Sequence, residues 1–113
     1  MPTTRNPLTR AFLFVEELRK LDQELPVQHA AALLLIAREE GITQQKVAAT
    51  LGMGKSSAER AFAKLSDKGW PVGKPGYELI EVRPGQVDAR ERCAFLTAKG
   101  RRFVNSLVHL VEG

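Results

Sequence analysis

The feature that most constrains this chain is a three-residue break, Gly52-Met53-Gly54, between two short segments that both carry helical apolar spacing. Before it, Gln44 to Leu51 follows a capping Thr43 and puts Val47, Ala48 and Leu51 on one face. After it, Lys55 to Lys68 puts Ala58, Ala61, Phe62 and Leu65 on one face and stops at Gly69. A linker this short forces the two helices to cross closely. Ala48 is small enough for that approach, Gly52 admits the positive φ of a tight turn, and Met53 fills the space between the helices. Two helices joined in this way make a helix-turn-helix, although an ordinary helical hairpin shares some of these features.

The flanks complete the architecture. Asn6-Pro7 opens a helix over 8–22 in which Leu8, Ala11, Phe12, Val15 and Leu18 form a stripe widened by Leu13, Phe14 and Leu21. That face is broader than one neighbouring helix covers, so it meets either a second chain or a groove of its own domain. Pro26 starts a second helix through Glu40, stopped by Gly41, and its run Ala30 to Ala37 is apolar all round, as in a central core helix. Trp70 to Gly76 is incompatible with helix. Tyr77 to Arg83 then reads as a strand, Pro84 to Asp88 as a turn and Glu91 to Leu96 as the returning strand. A β-hairpin directly after the second helix is a wing. Thr97 caps a last helix through about Glu112, with Phe103, Val104, Leu107, Val108 and Val111 apolar. The fold expected is mostly α with a small β-hairpin wing: a winged helix-turn-helix over 26–96, between dimerisation helices in 1–25 and 97–113.

Charge narrows the partner. Residues 1–40 carry a balance of −1 and residues 41–113 one of +5, within a net +4 over 113 residues. A basic excess confined to the segment with the helix-turn-helix favours a polyanion, most simply nucleic acid. No apolar run approaches the roughly 20 residues that span a bilayer, and the N-terminus lacks a signal-peptide layout, with Glu16-Glu17 soon after Arg5 and Arg10. The lone Cys93 forms no internal disulfide and fits a reducing cytoplasm. A buried small hydrophobe is the expected role for it rather than a redox switch. His29 and His109 have no companions at metal-ligand spacing, and no phosphate loop or nucleophile constellation is present. No metal, no cofactor and no enzymatic activity are expected.

Two runs resemble a known family. Leu51-Gly52-Met53-Gly54-Lys55-Ser56-Ser57-Ala58-Glu59-Arg60 looks like the turn and recognition-helix start of winged helix-turn-helix regulators. Asp88-Ala89-Arg90, then five residues to Leu96-Thr97-Ala98-Lys99-Gly100-Arg101, looks like the wing and following helix of the MarR family of transcriptional regulators. The resemblance spans roughly residues 26–105. It implies a homodimer bound to double-stranded, pseudo-palindromic operator DNA, often released by a small-molecule effector. The sequence departs from the family in four places. It ends at Gly113, where members commonly run some tens of residues further; Trp70 to Gly76 is inserted before the wing; Ala58 replaces a larger β-branched residue; and Glu59 replaces a small hydroxyl.

A recognition helix reads base edges with its N-terminal half while phosphate contacts hold the register. The inward stripe of the helix from Lys55 leaves Lys55, Ser56, Ser57, Glu59, Arg60 and Lys64 facing outward. Ser57, Glu59 and Arg60 are the expected base readers, Arg60 on guanine acceptors and Glu59 on a cytosine amino group. Ser56, Lys64 and Lys46 are expected on phosphate, with Gln44 and Gln45 at the first turn of the preceding helix. The wing offers Arg83, Gln86, Arg90 and Arg92, with Asp88 orienting Arg90; a purely structural Asp88–Arg90 pair is the alternative. Leu8, Phe12, Val15, Phe103, Leu107 and Val111 are the expected dimer contacts. The leading function is a sequence-specific homodimeric repressor. The alternative is a winged-helix module that docks onto a protein partner, another regulator or a polymerase, with the basic face a solvated surface.

Overall fold

The computed structural model describes residues 6–112; residues 1–5 of the expected N-terminal segment and Gly113 lie outside the described residues. Five helices and one hairpin follow in the order α1 (Pro7–Leu21), α2 (Val27–Arg38), α3 (Gln44–Leu51), α4 (Lys55–Leu65), β1 (Ile80–Pro84), β2 (Arg92–Leu96) and α5 (Ala98–Glu112). The expected caps are in place. The Asn6 side chain accepts from the Leu8 amide at 2.8 Å, that of Thr43 from Lys46 at 3.0 Å, and that of Thr97 from Gly100 at 2.9 Å. Gly52 sits in the left-handed region at φ 66°, and the Met53 amide donates back to the Ala48 carbonyl at 2.8 Å. That bond closes the tight turn read from the sequence.

Two apolar clusters hold the molecule. The larger joins α2 (Ala32, Leu33, Leu35, Ile36), α3 (Val47), α4 (Ala61, Phe62, Leu65) and the hairpin (Ile80, Ala94, Leu96). The smaller joins Leu18 of α1, Ala30 of α2 and Leu107 of α5, with Phe14, Leu25 and Phe103 packed against it. A compact domain of this length has a radius of gyration of about 13 Å, whereas this one measures 14.8 Å over extents of 53 × 30 × 27 Å. Dividing the burial between two clusters produces that elongation. Leu107 therefore requires a correction: it is fully buried inside its own chain, so it has no surface left to offer a second copy. Phe103 likewise packs against both clusters.

Two boundaries differ by three residues from the sequence expectation, and one contact is added. The helix expected to run to Lys68 ends at Leu65. The buried Ser66 donates its hydroxyl to the Ala63 carbonyl at 2.9 Å and accepts from the Lys68 amide at 3.1 Å, offering the backbone a turn in place of the next helical bonds. The strand expected from Tyr77 starts only at Ile80. The amides of Tyr77, Glu78 and Leu79 donate instead to the carbonyls of Lys64, Ser66 and Leu65, so this stretch caps the end of α4 rather than pairing with β2. β1 and β2 then pair antiparallel from Ile80↔Leu96 to Pro84↔Arg92. The third difference is an addition. Thr43 bridges Cys93, with Gly41 donating to the Ala94 carbonyl at 2.7 Å and Ala94 to that of Ile42 at 3.0 Å. Cys93 is half-buried in this seam rather than a core residue.

A carboxylate fastens the hairpin to the last helix. Glu40 accepts from the Leu96 amide at 2.8 Å and from the Arg101 guanidinium at 3.1 and 3.3 Å. The Leu96 amide first, then the Arg101 guanidinium, holds its pKa below the ordinary value of 4.5. A carboxyl group depressed in the folded state adds stability above its unfolded pKa and loses it as pH falls through the folded one. The margin in urea midpoint of the wild type over Glu40→Gln is therefore expected to be full at neutral pH and to shrink below about pH 4.5. A margin that stays constant into acid would contradict this role for the ionised group.

Candidate nucleic-acid interface

The start of α3, the outer face of α4, the loop after α4 and the base of the wing enclose one groove of about 980 Å³. Among the expected residues it brings together Gln44, Gln45, Lys55, Ser56, Glu59, Arg60, Arg90 and Arg92. Lys68, Trp70 and Val72 also line it, and the sequence reading had not placed them at the site. An exposed tryptophan in a Pro- and Gly-rich stretch next to a basic helix was the signal available for Trp70.

The remaining candidates lie elsewhere or are engaged. Lys46 pairs with Glu39 at 2.8 Å. Arg83 holds Glu81 through two bonds of 3.1 Å and lies 4.3 Å from the centre of the Phe95 ring. Lys64 is half-buried; its ammonium stands 3.4 Å from the Trp70 carbonyl and 5.1 Å from the centre of the Tyr77 ring. Ser57 is half-buried, and Gln86 is exposed in the wing turn. Within the groove, Gln44 keeps its Oε1 buried without a hydrogen-bond partner among the described residues.

The charges facing the groove fall into three kinds, the first being two carboxylates, Glu59 and Glu91, that also line it. Arg90 is gripped by Asp88, Nε to Oδ1 at 3.1 Å and Nη2 to Oδ2 at 3.2 Å, and this pairing holds the Asp88 carboxyl below its ordinary range. Asp88 thus pairs with Arg90 at the wing and cancels much of its field. Among the described residues Lys55, Arg60, Lys68 and Arg92 have no carboxylate within 4.0 Å. These four give the groove its positive potential. The amino end of α4 adds to it, because Gly54 supplies no side-chain cap and leaves the first amides beside Lys55 and Ser56 without an internal acceptor.

Behind the groove, Tyr77 donates its hydroxyl to Asp22 at 2.6 Å, tying the loop to the end of α1. Burial first, then the Asp22 carboxylate, raises the Tyr77 pKa, while the Tyr77 hydroxyl lowers that of Asp22. His29 sits half-buried beside this pair with its Nδ1 unpartnered among the described residues, and burial lowers its pKa. Among the described residues no group of acids, histidines and cysteine could hold a metal, and no helix is long and apolar enough to cross a membrane.

The chain is similar to known proteins in the segment that builds this arrangement. The model of the MarR family matches residues 23–70, from the turn before α2 to the end of the helix-turn-helix. The HTH-type transcriptional regulator PetP of Rhodobacter capsulatus is 38% identical over 72 residues, 64% of this chain. Over these residues the chain is similar to the MarR family. This is a family of transcriptional regulators, not of enzymes. The chain spans 38% of the length of PetP. A MarR transcriptional regulator from Methanosarcina mazei superposes with a TM-score of 0.67 at 21% identity, over 88% of this chain and 63% of that one. The S. aureus MepR–DNA complex superposes with a TM-score of 0.71 at 18% identity, over 92% and 74%. At such identities these structures establish the fold alone: five helices with a two-stranded wing, the MarR-like winged helix-turn-helix.

Proposed function

We propose that this chain is a MarR-like, sequence-specific, double-stranded-DNA-binding repressor that acts as a homodimer on a pseudo-palindromic operator. The observation that carries the reading is a set of four cations, Lys55, Arg60, Lys68 and Arg92, with no carboxylate within 4.0 Å among the described residues, around a groove framed by the recognition helix and the wing. Arg83, elsewhere on the hairpin, is neutralised by Glu81, whereas these four cations line the groove where a phosphate backbone would pass. Arg60 and Glu59, on the exposed face of α4, are the base readers; Lys55, Ser56 and the uncapped amides of α4 hold phosphate. The dimer surface is the exposed stripe Leu8, Phe12 and Val15 of α1 with Val111 of α5. The S. aureus relative was crystallised on DNA, which agrees with this use of the fold.

Selection of bound fragments from a random duplex pool is the direct test. A palindromic motif with half-sites one helical turn apart is expected. Weak binding blind to sequence would overturn the reading and favour the protein-docking alternative. On the selected duplex, Arg60→Ala is expected to lose about 1–3 kcal/mol and relax one base pair. Arg92→Ala should instead weaken all sequences alike and lower the slope of log K against log salt by about one. Equal losses from both variants on every sequence would remove Arg60 from base reading.

A further inference from the structure

The segment from Gly69 to Gly76 separates the recognition helix from the wing, and the match to the family model ends at Trp70. This loop is pinned at both ends. The Gly69 amide donates to the Ala63 carbonyl at 2.8 Å, Lys74 closes back on Pro71 at 2.9 Å, and Tyr77 donates to the Lys64 carbonyl at 2.8 Å. A Cβ at Gly69 would meet the Lys74 carbonyl oxygen and one at Gly76 that of Ser66, so the loop lies tightly against the end of α4. Two side chains one turn apart on α4 then hold the same loop residue. The Lys64 ammonium reaches the Trp70 carbonyl, and the Arg60 guanidinium lies 5.4 Å from the centre of the Trp70 ring, within cation–π range.

We propose that Trp70 is a positioning and specificity-determining residue of the DNA interface: its indole holds the Arg60 guanidinium at the groove wall, so that Arg60 meets its base already ordered. The proposal rests on the DNA-binding reading above. Three observations carry it. Trp70 is 44% exposed and belongs to neither apolar cluster, so core packing does not account for it. It lines the same groove as Arg60. Arg60 has no carboxylate within 4.0 Å among the described residues, which leaves the indole as the group that restrains it. A guanidinium can stack through its face while its edge still donates to an acceptor pair, and restraint before contact removes part of the ordering cost of binding.

The test uses the full chain and the duplex it selects from a random pool, paired with the same duplex altered at the base pair where Arg60→Ala loses discrimination. Trp70→Ala is expected to reduce discrimination at that pair by about three- to tenfold, with an unchanged unfolding midpoint. Trp70→Tyr should restore most of it, whereas Trp70→Leu, equally apolar but without a π face, should not. In the Arg60→Ala background, Trp70→Ala should cost nothing further. Trp70 is the sole tryptophan, so its emission in the DNA-free protein should also change in Arg60→Ala. Full discrimination in Trp70→Ala, additive losses in the double variant, or rescue by leucine as good as by tyrosine would each overturn the proposal while leaving DNA binding standing. If the wild type selects no sequence at all, the DNA reading falls and takes this proposal with it.

Discussion

Gly100→Ala is expected to cost about 3 kcal/mol, lowering the unfolding midpoint by roughly 10–20 °C. Alanine is ordinarily the better helix former by about 1 kcal/mol, so intrinsic propensity predicts the opposite sign. Position decides against it. Gly100 is buried in the first turn of α5, and a Cβ there would land on the carbonyl oxygen of Leu79, with the carbonyl carbon at 2.8 Å. That oxygen already accepts the Thr97 amide at 3.0 Å. Accommodating the methyl group moves either α5 or the stretch that caps α4, and each of these anchors the hairpin. Gly54→Ala, with nothing within 4 Å of the added atom, is the matched control and should cost under about 1 kcal/mol. Thermal unfolding of the two variants separates these effects; equal midpoints would refute the close-approach account.

Phe12→Asp is expected to convert the protein to a monomer and weaken operator binding by about a hundredfold or more, while leaving the fold intact. Phe12 is 61% exposed, between Leu8 at 80% and Val15 at 51%, so a charge there disturbs little within the chain. It would be buried only if a second copy covered the stripe, where an unpaired carboxylate is costly. Two linked half-sites gain on the order of 10²–10⁴ over one through effective concentration, and loss of the dimer forfeits that gain. Sedimentation velocity at micromolar concentration, with a titration on the selected duplex, reads both. A wild-type chain that is already monomeric, or a variant that still dimerises and binds equally well, would remove α1 from the dimer surface.

The sequence was most legible where a residue type leaves the backbone little choice. Gly52 marked the turn, Thr43 and Thr97 marked helix starts, and the stripe Ala58, Ala61, Phe62 and Leu65 marked the inner face of α4. It was least legible where bonds are made at a distance. Ser66 ends α4 by satisfying itself locally, and Tyr77 to Leu79 look like strand but spend their amides on α4. The cations of the site were identifiable by type, but not which of them would be cancelled. Lys46 meets Glu39 across a helix junction, Arg83 meets Glu81 along one strand face, and Lys68 escapes pairing altogether among the described residues. Leu107 has the spacing of an outward stripe, yet α1 and α2 close over it.

The seam from Gly41 to Thr43 along β2 sets a mechanical property of the groove. Its backbone bonds weld the leading end of α3 to the strand that carries Arg92, so these two walls cannot part without breaking main-chain hydrogen bonds. The site therefore behaves as a caliper with a preset gap rather than a jaw that closes on its target, and any duplex entering it must supply the accommodation through its own bending and groove width.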